Sequence, residues 1–141
     1  MTIHRGHCHC GNIDILFESE IQAADIAARA CDCGFCRRHG MRAVSDPAGR
    51  IAIAIHDAKM VNHYRFGLKT ADYLVCAVCG VYVSAILWDG DAGWAIINVN
   101  VLDNPQEFSR QALVVNYDAE SEAERRDRRR ANWTPVTVGE T

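Results

Sequence analysis

Apolar residues fall at every second position through much of this chain. Ile13, Ile15 and Phe17 alternate with Asp14 and Glu18, and Ile51, Ile53 and Ile55 alternate with alanines. Val81, Val83 and Ala85 alternate with Tyr82 and Ser84, and Ile97, Val99 and Val101 with Asn98 and Asn100. A period of two is that of a strand with one face buried, so each run predicts a short β-strand. The stretches "SDPAG" (45–49), "WDGDAG" (88–93) and "LDNP" (102–105) carry the Asp, Asn, Pro and Gly of turns and separate the strands. The uncharged run from Tyr73 to Trp88 is too short for a membrane span and is broken by Cys76, Cys79, Gly80 and Ser84, which predicts a buried hairpin. "IQAADIAARA" (21–30) is compatible with either helix or extended chain.

The pattern changes near the end. "DAESEAERRDRRR" (118–130) places acids first and arginines last, as the helix dipole prefers, and offers the i,i+4 pairs Glu122 with Arg126 and Glu124 with Arg128. It predicts a C-terminal helix held down by Trp133, either as a solvated face or as an anion-binding arm. The expected organisation is a β domain over 1–117 with a charged helix and tail, 118–141, packed on it. At 141 residues one core suffices, and a net charge of -3 gives no bulk attraction to nucleic acid. The opening "MTIHRGHCHCG" lacks the apolar stretch of a signal peptide, which points to the cytoplasm.

Seven cysteines alter this ordinary picture, because all of them lie in tight clusters: Cys8 and Cys10; Cys31, Cys33 and Cys36; Cys76 and Cys79. On an extended chain Cys8 and Cys10 present both sulfurs to one side while His7 and His9 face away. Cys-x-x-Cys-Gly at Cys76–Gly80 is a zinc-knuckle pattern, and Gly11 follows Cys10 as Gly80 follows Cys79. Joining the first and third clusters gives four thiolates for a structural zinc. Cys31, Cys33 and Cys36 remain, and three protein ligands with an open fourth position are the arrangement of a reactive zinc. Arg37 and Arg38 follow directly, with Arg37 and His39 the candidates to assist there. Other readings stay open: His39 as a fourth ligand that closes the site, a disulfide framework, which suits an odd count poorly, or a thioredoxin-like pair, which wants a βαβ context.

The segments "GHCHCGNIDILFE", "CDCGFCRRHG", "YLVCAVCGVYV" and "INVNVLDNP" together resemble the glutathione-dependent formaldehyde-activating enzymes, relatives of centromere protein V. The resemblance implies an Mss4-like fold, mainly β, of small coiled antiparallel sheets stapled by zinc. It implies two zinc ions per chain, one structural on Cys8, Cys10, Cys76 and Cys79, and one catalytic and more labile on Cys31, Cys33 and Cys36. The implied activity is a carbon–sulfur lyase run in reverse, joining a thiol such as glutathione to formaldehyde or another small aldehyde. Gly34 stands where the family often has serine and Val75 where it often has phenylalanine; neither change removes a ligand. A non-catalytic zinc-stapled module that binds a protein or nucleic-acid partner is the alternative, and a homo-oligomer is compatible with either.

Overall fold

The computed structural model describes residues 1–140. It is mainly β, with eleven strands and one helix of substantial length. One layer joins β1 (Thr2–His7), β2 (Ile13–Ser19) and β5 (Arg50–Ile55), paired antiparallel in that order. The other is built around the hairpin of β7 (Asp72–Cys76) and β8 (Tyr82–Asp89). There β6 (Val61–Tyr64) flanks β7, and β9 (Ala92–Asn98) flanks β8. The far edge of β9 takes β4 (Ala43–Val44), then β3 (Arg29–Cys31) and β10 (Leu113–Val115).

The last strand, β11 (Thr134–Glu140), ties the layers together. It runs parallel to β5 from Val136 to Glu140 and antiparallel to β9 at Thr134 and Pro135. The tail anticipated after the helix is therefore a strand. Its β-branched Thr134, Val136, Thr137 and Val138 carry the signal, and Pro135 excludes continuation of the helix through Thr134.

The alternation of Ile13, Ile15 and Phe17 places all three in the core, with Ile51, Ile53 and Ile55 opposite them. The uncharged 73–88 run is the predicted hairpin. Tyr82 through Leu87 are all buried, because β8 is covered on both faces, so its apparent alternation does not mark a solvent side. The strand expected at 97–101 starts and ends earlier: Gly90 and Asp91 make the turn, and Val99–Val101 is a single 3-10 turn. "IQAADIAARA" divides between a 3-10 turn at Ala23–Asp25 and β3. Among the described residues, no helix is long and apolar enough to cross a membrane.

Two cores result. The larger lies under the first layer and reaches Cys8 and Cys76. The smaller contains Cys36, Met41, Tyr73, Tyr82 and Trp133. Each cysteine pair or triad is thus set at the margin of a packed core.

The C-terminal helix, α2 (Glu122–Asn132), begins four residues later than the charge pattern suggested. Ser121 caps it, accepting from the Glu124 N–H while Glu124 accepts from the Ser121 N–H. Glu124 is thereby committed to the cap, and Arg128 pairs with Glu120 instead, through two bonds of 2.8 and 3.0 Å. The Glu122–Arg126 pair forms as expected, at 3.3 Å. Hydrogen bonding from Arg128 holds the Glu120 carboxyl below its ordinary pKa near 4.5. A lowered folded-state pKa means that this stabilisation is complete above the ordinary value and is lost as pH falls through the lowered one. We expect Glu120→Gln to lower the melting temperature by a constant amount at neutral pH, and the difference to shrink as pH falls below the ordinary carboxylate value near 4.5. Calorimetry across that range checks it.

Candidate metal centres

The first and third cysteine clusters meet where two turns face each other. Cys8 and Cys10 lie on the turn between β1 and β2, where the Gly11 N–H donates to the Cys8 carbonyl at 3.1 Å. Cys76 ends β7 and Cys79 lies on the turn to β8, where the Gly80 N–H donates to the Cys76 carbonyl at 2.9 Å. Gly11 and Gly80 have φ of +87° and +78°, a conformation that favours glycine and that both knuckles share. The Cys8–Cys10 segment is thus a turn rather than extended chain, and it still brings the two sulfurs together. Both His7 and His9 are exposed, outside this cluster.

The Sγ atoms of Cys8 and Cys10 are 3.7 Å apart, and those of Cys10 and Cys76 3.6 Å. All four sulfurs lie within 4.8 Å of one another. Four sulfurs placed tetrahedrally at about 2.3 Å from one zinc would be separated by about 3.8 Å, so the donor set fits such an ion. All seven cysteines are free thiols, so no disulfide framework forms. Burial pushes the Cys8 thiol up to about 12. Burial also acts on Cys79, but hydrogen bonds from the Cys10 and Val81 backbone and from the Cys76 and Cys8 thiols bring it down to about 6. A cation bound here takes thiolates, so its binding releases protons.

The middle cluster is built differently. Cys31 ends β3, and Cys33 caps a short helix, α1 (Gly34–Arg38), by accepting the Cys36 N–H at 3.3 Å. That cap folds Cys36 back toward Cys31, and the three sulfurs lie within 4.8 Å of one another. No histidine or carboxylate of the described residues joins them at that distance. His39 does not close the site: its ring packs on Phe35 and Tyr82, at 4.7 and 5.3 Å between centroids. The Cys36 thiol bonds to Cys31, which comes down to about 6, while the same bond and burial push Cys36 well up.

Cys31 and Cys36 line two openings. One is an open groove whose lining also includes Arg37, Arg42 and Val114. The other is a narrow cavity closed by Arg29, Arg128, Arg129, Tyr73 and Trp133. Of these, the sequence marks Trp133 as the residue that holds the helix down and Arg128 as a partner for Glu124, but neither as part of a cavity. Arg128 and Arg129 sit in the run that predicts either a solvated face or an anion-binding arm, and a consecutive Arg-Arg pair carries no mark of which side chain turns inward.

Residues 3–117 match the glutathione-dependent formaldehyde-activating enzyme family. The chain belongs to this family. A crystal structure of a Rhodobacter sphaeroides protein is similar to it, with 31% sequence identity and a TM-score of 0.59 over 79% of this chain and 99% of the other. No curated protein matches the chain. The formaldehyde-activating match contains all seven cysteines and ends at Tyr117, so α2 and its inward-facing arginines lie beyond the matched stretch.

Proposed function

We infer that the three-cysteine cluster is an open zinc centre at which a thiol, glutathione or a close relative, adds to formaldehyde or another small aldehyde. The observation that carries this is the donor count: three sulfurs meet at the edge of a groove, no fourth protein donor accompanies them among the described residues, and the chain belongs to a formaldehyde-activating family. Cys31, Cys33 and Cys36 would hold this ion, and Cys8, Cys10, Cys76 and Cys79 a second, structural one. Zinc held by three thiolates supplies an open position and lowers the pKa of a thiol that enters it.

The chain's own residues supply the setting. Arg37 and Arg42 stand at the groove with Asp32, so its lining carries one net positive charge, which favours an anionic substrate. Tyr73 is buried, which raises its phenol to about 12, so it keeps its proton at neutral pH. Its oxygen accepts from Arg129 Nη2 at 3.4 Å, which leaves the phenol hydrogen to donate elsewhere. Phe35, Tyr73 and Tyr82 pack ring against ring beside the cluster and exclude water from that side. In the reaction the thiol sulfur forms a bond to the aldehyde carbon, the carbonyl π bond becomes a C–O single bond, and that oxygen gains the proton the thiol lost. The product is a hydroxymethyl thioether, and the reverse direction is a carbon–sulfur lyase. Free thiols throughout suit a reducing compartment, and the cytoplasm is our assignment.

The test is cobalt(II)-substituted protein titrated with glutathione. We expect two thiolate-to-cobalt absorption signals, of which one shifts and saturates with glutathione. If neither signal moves across a panel of thiols, the thiol-binding reading fails and the binding-module alternative replaces it.

A further inference from the structure

The five arginines of α2 are not equivalent. Arg125 and Arg128 pair with Glu120, Arg126 with Glu122, and Arg130 with Asp127 and Asp89. Arg129 has no acidic partner among the described residues, although it is the most buried of the five, at 6% exposure. Its Nη1 donates to Thr70 Oγ1 at 2.6 Å and its Cζ lies 4.7 Å from the centre of the Trp133 ring. Its Nε is buried without a hydrogen-bond partner. A buried guanidinium that lacks a counter-charge costs several kcal/mol, roughly what one removed ion-pair partner costs. An anion bound in the cavity would offset that cost.

Arg29 adds a second such cation to the lining of the same cavity. It is half-buried on β3, donates to Ser45 Oγ at 2.7 Å, and likewise meets no acid. Both line the narrow cavity that Cys31 and Cys36 share, and no carboxylate is among its lining residues. The cavity has room for about 40 Å³, the size of one carboxylate group and far below that of a tripeptide. The planar fork of arginine matches a carboxylate, while sulfur is a weak acceptor for its N–H groups.

We propose that Arg29 and Arg129 form a carboxylate-binding subsite facing Cys31 and Cys36, so that the compound handled there carries a carboxylate within one or two carbons of its reacting atom. The inference rests on the reading of the three-cysteine cluster as a thiol-handling centre, and it narrows the substrate class of that centre to small acids. The carboxylate can belong to the aldehyde, as in glyoxylate, or to the thiol, as in mercaptoacetate. In the first case the thiol sulfur bonds to the glyoxylate aldehyde carbon, the C=O becomes C–OH with the thiol's proton, and the carboxylate is unchanged.

The experiment is calorimetric titration of zinc-loaded protein with acetate, with acetamide as its neutral counterpart. We expect millimolar binding of acetate, no binding of acetamide, and at least a tenfold weakening in Arg129→Gln and in Arg29→Gln. Arg129→Lys should also weaken binding, because a point charge replaces the fork. If Arg129→Gln does not fold, Arg29→Gln on the half-buried side decides. Tighter binding of mercaptoacetate than of 2-mercaptoethanol assigns the carboxylate to the thiol; competition of glyoxylate, but not formaldehyde, with acetate assigns it to the aldehyde. Equal binding of acetate by wild type and both variants, or none by wild type, overturns the subsite. Loss of one metal equivalent from Arg129→Gln without acetate binding by wild type also overturns it, leaving the arginine as a counter-charge to the thiolates. Arginine-dependent acetate binding in a protein whose cobalt signals ignore every thiol would keep the subsite and reject the thiol reading.

Discussion

Cys76→Ser is expected to abolish the fold at ordinary temperature, as is removal of metal from the native protein by a strong chelator. Cys76 is 1% exposed at the end of β7, and its partner Cys8 is fully buried. Together with Cys10 and Cys79 they join the β1–β2 turn to the β7–β8 turn, two hairpins far apart in sequence that share the larger core. A structural four-thiolate zinc site contributes roughly 10–16 kcal/mol of apparent binding energy in small peptides. Native domains of this size have about 5–15 kcal/mol in total. Loss of the first is therefore comparable to the whole of the second. The substitution also leaves a hydroxyl where a sulfur packed against apolar neighbours. Thermal melting followed by circular dichroism, with metal content measured alongside, checks the outcome. A Cys76→Ser protein that melts within a few degrees of wild type, one metal equivalent poorer, would show that the hairpins hold without the ion.

What could be read from the sequence divides along physical lines. Alternation of Ile13, Ile15, Phe17 and of Ile51, Ile53, Ile55 reports one-sided burial directly, and those residues are cross-strand partners on the buried face of the β2–β5 pair. The cysteine clusters were equally legible, because knuckle spacing is local and its glycines mark the turn. Strand β11 was less so. Its seven residues follow a highly charged helix, and only pairing with both β5 and β9 shows that the chain ends by bridging two layers. The cavity arginines were the least legible. In "RRDRRR" five similar side chains compete for acids, and the outcome depends on where Glu120, Glu122, Asp127 and Asp89 lie in space. Arg129 turns inward because Trp133 and Thr70 receive it, a tertiary fact with no local signature. His39 shows the converse: nearness to Cys36 in sequence suggested a ligand, and the ring packs at a tilt against Phe35 and edge-on to Tyr82.

Cys36→Ser should separate the two clusters. Its side chain lies in the smaller core at 4% exposure, and α1 is only five residues long, capped by Cys33 through the Cys36 backbone N–H, which serine retains. Oxygen for sulfur is a small volume change, so the β layers and the four-cysteine cluster should persist. We expect melting within a few degrees of wild type and one metal equivalent per chain in place of two. The cobalt signal that responds to glutathione should be missing while the other is unchanged. Turnover of thiol with aldehyde should fall by about 10³-fold or more, since holding the two reactants together supplies the larger part of such a rate. Cys31→Ser should behave alike, because the open centre needs all three sulfurs. Full retention of turnover in Cys36→Ser would move the chemistry away from this cluster. Loss of the whole fold would instead assign it the same structural duty as Cys8 and Cys76.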